Sequence, residues 1–141
     1  MMQTVEPMLD HERLEVYQLA RQHARECAAL IAQLPRGRSD ALEQYRRASL
    51  SLPLNVSEGA GEFAPREKAR LYRIARRSAD ECSALLDHLV DVDMATTEQI
   101  RPAKQLLRRI VGAMVKLIQS TDRVTGRWPA SVPRPPTGSG A

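Results

Sequence analysis

The chain has 141 residues, 43% hydrophobic and 4% aromatic, with 21 Lys and Arg against 17 Asp and Glu for a formal net charge of +4. That length suits one domain around one core, and so few aromatics point to a core of Leu, Ile, Val and Ala on helices. The sequence holds no apolar run long enough to span a bilayer, and so small a positive charge does not by itself require a polyanionic partner, so its placement matters more than its size.

Residues 1–6 lack a basic stretch followed by an apolar core, so no secretion signal is expected. Two cysteines, Cys27 and Cys82, without a dense framework fit a reducing cytoplasm. Residues 1–11 read as an irregular lead-in, with Asp10 as a helix cap. Helix 1 is expected over 12–34, because Val16, Ala20, His23, Cys27, Leu30 and Leu34 recur in steps of four and three. Pro35 breaks it. Asp40 with Glu43 resembles a capping box and opens helix 2, expected over 41–61.

Residues 46–61 are the most unusual stretch. Apolar residues hold helical spacing, yet Pro53 sits in the middle, where proline removes a backbone hydrogen bond at roughly 3 kcal/mol. Asn55 and Glu58 are placed to bond carbonyls freed by Pro53. Leu42, Tyr45, Ser49, Leu52 or Pro53, Val56 and Ala60 make the inner face, and Gly59 and Gly61 predict a left-handed stop. Residues 59–64 match a dinucleotide fingerprint formally, but they follow a helix rather than a strand, so that reading is discarded.

Pro65 suits the first position of helix 3, expected over 65–92 with Leu71, Ala75, Ser78, Cys82, Leu85, Leu89 and Val92 inward. Thr96 with Gln99 makes a second capping box before helix 4, over 97–122, with Ile100, Ala103, Leu107, Ile110, Met114 and Leu117 inward. Residues 123–141 are rich in Pro, Gly, Ser and Thr without periodicity and are predicted to be disordered. The fold expected is all-α, an antiparallel up-and-down four-helix bundle with a C-terminal tail.

Residues 14–20 (Leu-Glu-Val-Tyr-Gln-Leu-Ala), residues 46–59 through Pro53 and Asn55-Val56-Ser57-Glu58-Gly59, and residues 75–81 carry a resemblance. Together they resemble the small bacterial four-helix-bundle proteins encoded within intervening sequences of large-subunit ribosomal RNA genes. The accessory variability proteins of diversity-generating retroelements use the same fold. The resemblance implies a homo-oligomer, a ring of five protomers. By analogy with the retroelement proteins it also implies binding to RNA or DNA and a reverse transcriptase as partner.

Charge layout carries the main functional expectation. Arg66, Arg70, Arg73 and Arg77 follow at four, three and four residues and form one stripe of helix 3, whose second half turns acidic. Arg101, Lys104 and Arg108 repeat the pattern on helix 4. Such rows suit a phosphate backbone; the competing reading is a solvated face paired with local acids. No aromatic residue interleaves the stripes, which argues against a single-strand stacking platform.

Asn55, Glu58, Ser78 and Glu81, with Arg46 compensating the carboxylates, read as a buried polar network supporting the proline site. Without a nucleophile–base pair beside them, no enzyme is expected. His23, Cys27 and Cys82 converge as metal ligands only if helices 1 and 3 face each other; buried free cysteines ordinarily act as small hydrophobes, so neither metal nor cofactor is expected. The function expected is a non-enzymatic, cytoplasmic nucleic-acid-binding oligomer, the alternative a structural or protein-interaction module.

Overall fold

The structure, a computed structural model, describes residues 7–35 and 39–126. A 3-10 turn, Asp10–Arg13, leads into four helices: α1 (Glu15–Gln33), α2 (Asp40–Gly61), α3 (Pro65–Asp91) and α4 (Thr97–Gly126). Each packs on its two sequence neighbours and α4 closes on α1, so α1 and α3 lie diagonally. Cross-helix pairs fix an antiparallel order: Ser51 meets Ser78, Arg73 meets Asp122 and Lys104 meets Asp87. This is an up-and-down four-helix bundle.

The seams explain the packing. Val16, Ala20, His23, Cys27 and Leu30 of α1 are buried, as are Tyr45, Leu52 and Val56 of α2. Ala75, Cys82, Leu86 and Leu89 of α3 meet Ile100, Leu107, Ile110 and Met114 of α4 in one apolar cluster. Leu52 and not Pro53 faces that core. Helix α2 runs unbroken through the proline.

Several local expectations are revised. Asp10 does not cap α1, because residues 10–13 form the 3-10 turn: Glu12 turns back, its carboxylate accepting the Leu9 amide at 3.0 Å. Leu14 is then extended and α1 starts at Glu15. Ser39, not Asp40, caps α2, its hydroxyl accepting from the Leu42 amide at 3.4 Å. Asp40 and Glu43 instead lie in the first turn, matched to the positive helix end.

No described glycine has positive φ, so Gly59 and Gly61 do not make a left-handed stop. Gly59 serves a close approach of helices: a Cβ there would lie 2.5 Å from Cε1 of Tyr72. The Lys68 ammonium closes the helix end, donating to the carbonyls of Gly59 at 2.8 Å and Ala60 at 3.0 Å. The left-handed position falls at Asp93 (φ 57°) in the α3–α4 turn, a residue type that tolerates it. Val92 lies outside α3 and is exposed.

Thr96 and Gln99 exchange both bonds of a capping box, at 2.9 and 3.1 Å. Helix α4 extends to Gly126, four residues past the expected end at 122, so residues 123–126 are helix and not tail. The disorder expected further on falls on residues 127–141, outside the described residues.

Candidate nucleic-acid interface

The basic row of α3 lies on its outer surface, opposite the buried seam, with Arg73 reaching across to α4. Arg66, Arg70, Arg73 and Arg77 are exposed and cover about 16 Å at 1.5 Å per residue. Arg70 is locked onto Glu67 one turn earlier, Nε donating to Oε2 at 2.9 Å. That hydrogen bond and charge hold the Glu67 carboxyl below the usual range and push the Arg70 guanidinium up. Arg73 forks onto both Asp122 oxygens at 2.8 and 2.7 Å. Arg66 and Arg77 join no ion pair among the described residues.

The α4 row is a different environment. Lys104 is mostly buried, its ammonium 2.8 Å from Asp87 Oδ1 and 2.8 Å from the Ser83 hydroxyl. Arg101 and Arg108 flank it, line a groove of about 400 Å³ with Asp87, Asp91, Val90 and Ile100, and form no ion pair among the described residues. With Arg73 opposite Asp122 and Asp87 opposite Lys104, the rows are offset by roughly 20 Å along the bundle. They do not merge: the α4 row lies beside the acidic half of α3.

The polar cluster is smaller than expected. Asn55 donates to the Ser51 carbonyl at 2.8 Å and to its hydroxyl at 3.0 Å. Ser51 meets Ser78 at 2.9 Å, and Ser78 returns a bond to the Ile74 carbonyl at 3.1 Å. The residue that joins the helices is therefore Ser51, which sequence reading missed. Glu58 and Glu81 are exposed, and Arg46 faces Glu43 at 3.7 Å, so these three stand outside it. The carbonyl Asn55 reaches is that of Ser51, not that of Ser49, four residues before Pro53. A Ser-x-x-x-Asn pair beside a helical proline is the signal that could have found it.

A second buried network crosses α1 and α2. His23 is fully buried; its Nε2 lies 2.8 Å from the Tyr45 hydroxyl and its Nδ1 3.4 Å from that of Ser49. Burial pushes its pKa down to about 4, so the ring is neutral. Burial raises the thiol of Cys27, against hydrogen bonding from Ser49, and pushes that of Cys82 up to about 12. Thiols so raised are poor nucleophiles and poor ligands at neutral pH. Among the described residues no three His, Cys, Asp or Glu side chains are grouped to hold a metal.

Two exposed apolar features were not singled out from sequence. Phe63, in the α2–α3 turn, is 97% exposed. Leu50 and Leu54 are exposed on α2 beside Pro53, next to an apolar groove of about 480 Å³ shared with Ala24, Ala28 and Ile31 of α1. Their off-seam positions in a helix otherwise polar on that side are the signal that could have found them.

A closed apolar interior, antiparallel neighbours and charge segregated along the outside define an all-α protein of the up-and-down four-helix-bundle class. Residues 12–116 match the family described as 23S rRNA-intervening sequence protein, and the chain belongs to that family. Comparison with curated proteins gives no match.

Proposed function

We propose that this is a non-enzymatic, homo-oligomeric protein that binds the backbone of RNA or DNA through Arg66, Arg70, Arg73 and Arg77. The observation that carries this reading is one helix flank with four exposed guanidiniums at helical spacing, two of them in no ion pair among the described residues. Exposed ion pairs contribute only about 0–1 kcal/mol, so Arg70 and Arg73 exchange Glu67 and Asp122 for phosphates at small cost. Arg101 and Arg108 are secondary contacts, and Lys104 is already occupied by Asp87.

The apolar surface around Leu50, Leu54 and Pro53 supports self-association. In the five-membered ring implied by the family resemblance, every protomer would contribute its own α3 row, and the fields would add. Service as an accessory factor to a nucleic-acid enzyme, such as a reverse transcriptase, is the role this arrangement suits.

A structural or protein-interaction module is the second reading, favoured by the pairing of Arg70 and Arg73 with acids. Titration of labelled structured RNA and duplex DNA at low salt and near 150 mM decides between them. Binding that persists and falls log-linearly with salt supports the first reading, the slope counting phosphates engaged. Arg66→Glu with Arg77→Glu should then lower the affinity and leave the oligomer intact. Binding confined to low salt overturns the first reading.

A further inference from the structure

Phe63 is the one aromatic side chain that the bundle leaves almost wholly in water, at 97% exposure among the described residues. Its turn is fixed from both sides. The Glu62 carboxylate accepts the Ala64 amide at 3.0 Å, and Lys68 clamps the last carbonyls of α2. The backbone that carries the ring is therefore a short, braced turn, so little main-chain freedom is left to lose on binding. It borders a cleft of about 390 Å³ whose other walls include Leu14, Tyr72, Asp10, Glu62 and Lys68, the last with its ammonium already bonded to the α2 carbonyls.

Position decides what such a ring is for. Arg66 follows three residues later, at the start of the basic row, and Pro65 opens α3 with its positive helix end at the same place. An apolar ring at the head of a row of guanidiniums matches a nucleotide, which has a flat base at one end and an anionic backbone at the other. Bases inside a duplex are already stacked and hidden, whereas those in loops, bulges and ends are free to stack on a side chain. Asp10 and Glu62 repel phosphate but accept hydrogen bonds from base N–H groups, so the cleft suits the base and the α3 flank suits the strand.

We propose that the turn at Phe63 is a site for an unpaired nucleotide beside a duplex, its base stacking on the ring while Arg66, Arg70, Arg73 and Arg77 carry the adjoining backbone. This rests on the nucleic-acid reading above and narrows its ligand to junctions, loops and tailed ends.

The test uses the full chain with two RNA hairpins, one blunt and one carrying a short single-stranded tail with 2-aminopurine as its first unpaired base. Tighter binding of the tailed hairpin is expected, with quenching of the 2-aminopurine emission as the base stacks. Phe63→Leu keeps apolar bulk without the ring; it should abolish the quench and weaken the tailed hairpin about tenfold, leaving the blunt hairpin unchanged. Phe63→Trp should restore both. Because Phe63 is exposed, both variants keep the helical circular dichroism. Equal affinity of the wild-type chain for the two hairpins overturns this proposal and leaves backbone binding standing. Binding of neither hairpin near 150 mM salt overturns both readings. A Phe63→Leu variant that changes the oligomer mass without changing the quench assigns the ring to a protein contact and also overturns the proposal.

Discussion

Nε2 of His23 and the hydroxyl of Tyr45 lie 2.8 Å apart in the core, joining α1 to α2 across 22 residues of sequence. Ser49 takes the other ring nitrogen, so either neutral tautomer can use both of its nitrogens. Tyr45→Phe removes one partner and leaves a buried nitrogen unpaired, a loss of about 1–3 kcal/mol. Urea unfolding should show a lower midpoint with an unchanged m value.

The same histidine makes stability depend on pH. Burial lowers its pKa from 6.5 to about 4. The unfolded chain takes up the proton first, so this contribution is complete above pH 6.5 and is lost as the pH falls towards 4, amounting to about 3 kcal/mol. Urea midpoints measured across that window should drop for the wild type and drop less for His23→Leu. Parallel curves for the two proteins would assign the acid sensitivity to other groups.

Two glycines at one helix end should respond with opposite signs. Gly59→Ala sets a Cβ against the buried Tyr72 ring, 2.5 Å from Cε1, and overpacking of this kind costs about 1–3 kcal/mol. Gly61→Ala meets nothing within 4 Å and lies in helical backbone, so it should stabilise by about 0.5–1 kcal/mol. Thermal melts of the two variants check both, and Tyr72→Leu should relieve the first.

Lys104 and Arg66 should separate stability from binding. The Lys104 ammonium is bound to Asp87 and Ser83, so Lys104→Met should lower affinity for RNA less than Arg66→Glu does. Salt titrations give the comparison: the slope should change by about one for a lost phosphate contact and stay unchanged for Lys104→Met.

How much of this was legible follows from range. The α1 seam from Val16 to Leu30 and the Thr96–Gln99 cap depend on residues three or four apart, and spacing reports them directly. Ser39 and Asp40 are both good caps, and sequence gives no geometry to choose between them. Pairings such as Arg73 with Asp122, 49 residues on, depend on helix register, which no local pattern encodes. For that reason the α3 and α4 rows are equivalent by spacing alone, and only the pairing of Asp87 with Lys104 tells them apart. Phe63 is not legible in this way, because a turn aromatic can fold inward or stand out, and no local pattern says which.

Helix α3 carries its charges against its own peptide dipole. A helix favours acids at its start and bases at its end, each worth about 0.3–1 kcal/mol, yet at the beginning of α3 Arg66, Lys68 and Arg70 outnumber the one acid Glu67, and Asp87 and Asp91 stand at the finish beside His88. Excised as a peptide, α3 should therefore be a poor helix, dependent on its neighbours for shape. Within the bundle α4 offsets the acidic half of α3, laying Lys104 on Asp87, whereas Arg66 at the start of α3 joins no ion pair among the described residues.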